Sequence, residues 1–146
     1  GPYPGCLYTD NVINKDLSDR LIAIYGHNNP NGIMFAQLHK YEKQDFMDKN
    51  RYFFVYLPND IKVYKVFTAH TGLSINLVTG YDLTDDSTYT TFLKEIWKDN
   101  TYNDLTHEED TNFSPDVNTM VLSTCIYPST YTERYLVFGE EVNGNW

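Results

Sequence analysis

A chain of 146 residues, 41% hydrophobic and 16% aromatic, suits one domain with a sizeable core (1–146) and leaves little room for two. The net charge of −9, without any Lys/Arg cluster, argues against nucleic acid as a partner; it fits solubility and repulsion of anionic surfaces. Two cysteines, Cys6 and Cys125, are too few for a disulfide framework or a four-cysteine zinc site, so they form one disulfide or leave a working thiol. No run approaches the roughly 20 apolar residues of a membrane span, and no signal peptide opens the chain. The protein is then either cytosolic or has lost a native leader and membrane anchor, and Gly1-Pro2, which reads as the scar of tag cleavage, favours the second.

In chain order, Leu7–Thr9 is short and β-like, and Leu21–Tyr25 is a buried strand by composition. The turn-forming stretch Gly26–Gly32 follows. Ile33–Tyr41 spaces its apolar residues in a way that predicts a short helix. Arg51–Leu57 and Ile61–Thr71, rich in Tyr, Phe and Val and joined by Pro58-Asn59-Asp60, predict a long hairpin. Ser87–Asp99 is the clearest helix: Asp86 or Ser87 caps it, and Tyr89, Phe92, Leu93, Ile96 and Trp97 line one face. After a polar, acidic connection come strands Thr119–Thr124 and Arg134–Val142. The pattern is a mostly antiparallel β domain with one or two inserted helices.

If the last two strands pair as a hairpin, Cys125 stands opposite Arg134, and Ser123 opposite Leu136 on the same face. A one-residue slip would separate each pair. A guanidinium beside a thiol favours the thiolate over the thiol and supplies donors for an oxyanion. A structural reading competes with this chemical one, because a strand-end cysteine is commonly a small buried residue and a strand arginine commonly solvates an edge. A cysteine nucleophile also needs an acid/base, usually histidine. His27, presented on a turn directly after a buried strand, is the best placed, with His70 second. His39 beside Lys40 reads as solvent-facing. His107 starts His-Glu-Glu-Asp without a second histidine four residues on, so metal is rejected.

Four motifs occur in order: YGHN (Tyr25–Asn28), GIMF..L..Y (Gly32–Tyr41), LSTC (Leu122–Cys125) and RYLVFG (Arg134–Gly139). Together they resemble the sortases, above all class B, the cysteine transpeptidases of Gram-positive cell surfaces. The resemblance spans about Gly5 to Val142. It implies a sortase-like closed β-barrel with the helix Ser87–Asp99 ahead of the cysteine strand. It also implies a catalytic set of His27, Cys125 and Arg134, with Ser123 as a substrate contact and no cofactor or metal. The implied substrate is a C-terminal sorting signal of a surface protein or pilin, cleaved after Thr through a Cys125 thioester. The acyl group then passes to an amine of a cell-wall precursor or a pilin, at the outer face of the membrane.

The chain departs from the class B pattern in three places. Val121 stands where the signature has threonine, and Ile126 where some members carry an acid. About twenty residues precede Leu21, so one or two N-terminal barrel strands are expected to be lacking. The rival readings are an L,D-transpeptidase or another Cys/His hydrolase, and a non-catalytic surface β module. The L,D-transpeptidase signature puts glycine before the cysteine and arginine two residues after it, where this chain has Thr124 and Tyr127. Cys6 is expected to be a buried spectator without a bond to Cys125, and the acidic stretch Thr106–Thr111 a solvated loop that calls for no calcium.

Overall fold

Among the described residues, the runs rich in Tyr, Val and Ile become seven strands of one sheet, and the helices fall between them. The computed structural model describes residues 8–9, 19–26, 35–73, 82–99, 101, 104–109, 111–125 and 133–142. The strands are β1 (Tyr8–Thr9), β2 (Leu21–Gly26), β3 (Tyr52–Leu57), β4 (Asp60–Leu73), β5 (Thr106–His107), β6 (Thr119–Cys125) and β7 (Glu133–Val142). They lie in the order β1-β2-β6-β7-β4-β3, with β5 alongside β4. All pairs are antiparallel except β2–β6, which is parallel. The architecture is mostly β, as the sequence predicts.

Strand alternation sends side chains to two cores. On one face Ile22, Ile24, Tyr64, Val66, Met120, Leu122, Tyr135 and Val137 bury together. On the other, Phe67, Val121, Leu136 and Phe138 pack beneath a helix, α2 (Asp86–Trp97), through Tyr89, Phe92 and Leu93. One irregularity in β4 matters downstream. The register with β7 passes from Val66–Gly139 to Thr68–Phe138, leaving Phe67 as an extra residue. Such a bulge reverses the alternation beyond it, so Ala69 rejoins the first core.

The helices differ from the sequence expectation in instructive ways. Within the predicted helix Ile33–Tyr41, the described part is a 3-10 helix, Phe35–Glu42. Its buried residues Leu38 and Tyr41 are three apart, the spacing that eclipses on a 3-10 helix and so lines both up on the core. A further short helix, α1 (Gln44–Lys49), carries no apolar stripe and buries only Met47. The Gln44 side chain holds it against His107, donating to the backbone carbonyl at 3.0 Å and accepting from the backbone N–H at 3.2 Å. The cap of α2 is Asp85, not Asp86 or Ser87: its carboxylate accepts from the Thr88 N–H at 2.8 Å. That bond holds the Asp85 carboxyl below the usual range. Arg20, just before β2, fastens this end of α2 by donating to the Leu83 carbonyl (2.7 Å), the Pro115 carbonyl (3.0 Å) and Asp86 (2.7 Å).

Candidate active site

Strands β2, β6, β7 and β4 lie side by side, and their registers fix which residues share each row across the sheet. Cys125, the last residue of β6, pairs with Arg134 of β7, and Arg134 pairs on its other side with Gly72 of β4. Two residues along each strand, and so on the same face, lies the row of Tyr25, Ser123, Leu136 and His70. These are the Cys125–Arg134 and Ser123–Leu136 pairings that the sequence predicts. On the far side of β6, Gly26 ends β2 beside Thr124. Because β2 and β6 run parallel, the chain leaves β2 towards His27 at the end of the sheet where Cys125 closes β6. His27 itself lies outside the described residues, as does Cys6.

Counting by twos along β7, Arg134 falls on the same face as Leu136 and Phe138, the face that α2 covers. Its guanidinium is half-buried and donates to the Glu133 carbonyl at 2.9 Å. Ser123 is 2% exposed, so it lies beneath the surface of this face. Thr124 and Tyr135, themselves a register pair, point to the opposite core, and each has a buried hydroxyl without a hydrogen-bond partner among the described residues. Burial, aided by Glu42 and Asp104, pushes the Tyr135 hydroxyl far up in pKa. Thr106 lies near enough to moderate the shift, but its own hydroxyl is engaged at 2.8 Å by the Tyr41 carbonyl.

The other histidines occupy different settings. His70 is 3% exposed, with Nδ1 2.8 Å from the Thr71 carbonyl and Nε2 3.1 Å from the Ile96 carbonyl in the last turn of α2. It is a packing histidine that ties α2 to β4, not a residue of the rim. His39 is not simply solvent-facing: its ring stacks on Tyr135 at 4.9 Å, on the side of the sheet away from Arg134, and Nδ1 meets Glu42 at 2.9 Å. His107 packs edge-on to Trp97. The stretch Thr106–Thr111 is only partly a solvated loop, since β5 begins it and Glu108 receives both Arg51 (2.9 Å) and Lys65 (2.8 Å). A polar cleft of about 560 Å³ beside it, lined by Gln44, Asp48, Arg51, His107, Glu108 and Glu109, holds none of the candidate residues. Among the described residues no His/Cys/Asp/Glu cluster could hold a metal ion, and no helix is long and apolar enough to cross a membrane.

Two residues of this region carry no sequence signal. Gly72 is the residue paired with Arg134 on β4, and Asp104 receives both the N–H of Thr71 (3.1 Å) and its hydroxyl (2.5 Å). An isolated glycine in a strand run and an aspartate in an acidic connection look ordinary until the register is known.

The family model of the sortase domain matches residues 8–142. No curated protein sequence matches the chain significantly. Among solved structures, sortase B of Clostridium perfringens superposes with a TM-score of 0.78 at 22% identity, over 97% of this chain and 75% of that one. Sortase B from the type II pilus of Streptococcus pneumoniae gives 0.76 at 23% identity, over 94% and 76%. A Staphylococcus aureus sortase B–substrate complex gives 0.79 at 23% identity, over 98% and 64%. The chain thus spans less than two thirds of the S. aureus protein. These likenesses show that the fold is the sortase B β-barrel fold.

Proposed function

The chain belongs to the sortase family, and from that premise we propose that it is a cysteine transpeptidase in which Cys125, His27 and Arg134 do the chemistry. One observation carries the reading: Cys125 and Arg134 are register partners at the end of a hairpin. Directly opposed residues of an antiparallel pair share a face, and a cation beside a thiol favours the thiolate. The end of β2 at Gly26, beside Thr124 and one residue before His27 in the chain, supports the same reading.

The reaction proceeds in two halves. The Cys125 thiolate attacks the Thr carbonyl carbon of a C-terminal sorting signal. The scissile C–N bond breaks, and His27 as imidazolium gives its proton to the departing amine. Arg134 orients the peptide or steadies the tetrahedral oxyanion. An amine acceptor, from a cell-wall precursor or a pilin lysine, then attacks the thioester. His27 takes the amine's proton, and the thiolate leaves. Ser123 contacts the peptide in this reading; its burial means that the bound peptide must displace what covers it. The native protein works at the outer face of the cell membrane, held by an anchor. The substrate complex of the S. aureus relative and the pilus origin of the S. pneumoniae relative support peptide substrates of this class.

A panel of sorting peptides, with and without an amine acceptor, tests this. Mass spectrometry is expected to find an acyl adduct on the wild-type chain and none on Cys125→Ala, with product switching from hydrolysed to amine-linked peptide when the acceptor is present. Turnover by Cys125→Ala would end the proposal. Hydrolysis alone, at every acceptor concentration, would favour a cysteine protease instead.

A further inference from the structure

The far side of β4 shows how the row containing Arg134 is kept in place. β5 pairs with β4 only at Thr68 and Ala69. Beyond that point the last residues of β4, Thr71 to Leu73, face β7 on one side through Tyr135, Arg134 and Glu133. On their other side no strand continues among the described residues. A strand end with one free edge frays readily. Here the ladder is extended by a side chain. Continuing the β4–β5 register brings Asp104 opposite Thr71, and its carboxylate takes the place of a backbone acceptor. Oδ1 accepts the Thr71 N–H at 3.1 Å and Oδ2 the Thr71 hydroxyl at 2.5 Å. Bonds to an ionised acceptor are roughly twice as strong as neutral ones, so this two-point clasp is a firm one.

What the clasp holds is the neighbour of Arg134. Thr71 precedes Gly72, the register partner of Arg134, and Arg134 in turn pairs with Cys125. The clasp also lies on the segment that joins α2 to β5. The last turn of α2, from which that segment departs, is itself tied twice to the same stretch of β4: Thr68 donates to the Trp97 carbonyl at 3.4 Å, and His70 meets the Ile96 carbonyl at 3.1 Å. We infer that Asp104 is a positioning residue for Arg134: by clasping Thr71 it fixes the β4 end against which the arginine's strand is registered. The inference rests on the transpeptidase reading above, in which Arg134 acts on the reacting carbonyl.

A double-mutant cycle tests it, read as the single-turnover rate of acyl-enzyme formation with a sorting peptide, alongside kcat, KM and the melting temperature. Asp104→Ala is expected to slow acylation by roughly 10–100-fold while KM changes little, the scale on which a misplacement of about 1 Å acts. Thr71→Val, which keeps the N–H bond and loses the hydroxyl bond, slows it by about 3-fold, and Thr71→Ser restores the wild-type rate. In an Arg134→Lys background, Asp104→Ala adds less than about 3-fold, because both changes act on one group. Should Asp104→Ala melt below the assay temperature, Asp104→Asn and Thr71→Val carry the same cycle. Fully additive losses, or a rise in KM at constant kcat, would overturn the inference. A failure of the transpeptidase reading is visible separately, as turnover by Cys125→Ala.

Discussion

Leu136 occupies the space that a side chain on Gly72 would need: a Cβ there would meet its Cδ1 at 2.5 Å. The two residues sit on neighbouring strands, two rows apart on one face, with Arg134 the register partner of Gly72 and Ser123 that of Leu136. Glycine is required here by this close approach. Gly72→Ala is therefore expected to cost about 1–3 kcal/mol, the usual effect of overpacking a filled core. Thermal or urea unfolding measures it. Adding Leu136→Val, which withdraws the clashing methyl, should recover part of the loss. A Gly72→Ala chain as stable as the wild type would show that Leu136 moves aside freely.

Tyr89 joins α2 to both ends of the segments it covers. Its ring is fully buried, and its hydroxyl lies 2.6 Å from the Val117 carbonyl, 2.7 Å from the Thr119 hydroxyl and 3.1 Å from the Arg20 carbonyl. Burial pushes this hydroxyl up to about 12, so it stays a neutral donor at ordinary pH. Tyr89→Phe keeps the ring packing and takes its donor from the Val117 carbonyl, while the Arg20 carbonyl keeps the Thr119 N–H at 2.8 Å, a loss of about 1–3 kcal/mol. Equilibrium unfolding of the variant reads it directly, and a change below about 0.5 kcal/mol, the ordinary range for surface sites, would mean water replaces the hydroxyl.

The opposite sign is expected at Thr124. Its hydroxyl is buried and finds no partner among the described residues, and the residue is 1% exposed. Thr124→Val replaces that hydroxyl by a methyl of the same shape and removes a desolvated polar group, which stabilises by about 1 kcal/mol. A lower melting temperature for Thr124→Val would reveal a partner for the hydroxyl, such as a buried water.

The strands and the α2 stripe were legible because each has one strong period. The β6–β7 register keeps Met120, Leu122, Tyr135 and Val137 together in one core, since a slip would carry one strand's set across the sheet to the core beneath α2. The parallel contact of β2 with β6 joins segments nearly a hundred residues apart, and nothing local encodes it. The helix α1 was missed because only Met47 is deeply buried and its tether is a side-chain amide on the backbone of His107. β5, two residues long, exists because β4 offers it an edge. For the candidate site, the pairing of Cys125 with Arg134 could be read from residue type and spacing. Asp104 could not, since its clasp depends on where β5 stops.

Glu140 offers a test through pH. It lies on β7 opposite Lys65 on β4 and Thr119 on β6, with Tyr89 of α2 and Glu108 of the segment after β5 facing it. The Lys65 ammonium is engaged by Glu108 at 2.8 Å, and Arg51 binds that carboxylate too. Burial first, and the charge of Glu108 second, raise the Glu140 carboxyl from its ordinary 4.5 to about 7, with Lys65 pulling the other way. Between those two values the folded chain holds a proton that the unfolded chain has released, so stability falls as pH rises through the window. The penalty is absent below about pH 4.5 and complete above about pH 7. Glu140→Gln keeps the shape and cannot ionise. Melting curves from pH 4.5 to 8 should show variant and wild type close together at the acid end, with the variant gaining steadily towards pH 8. A gap that stays constant across this range would mean that the carboxylate ionises at its ordinary pH, with Lys65 paired to it after all.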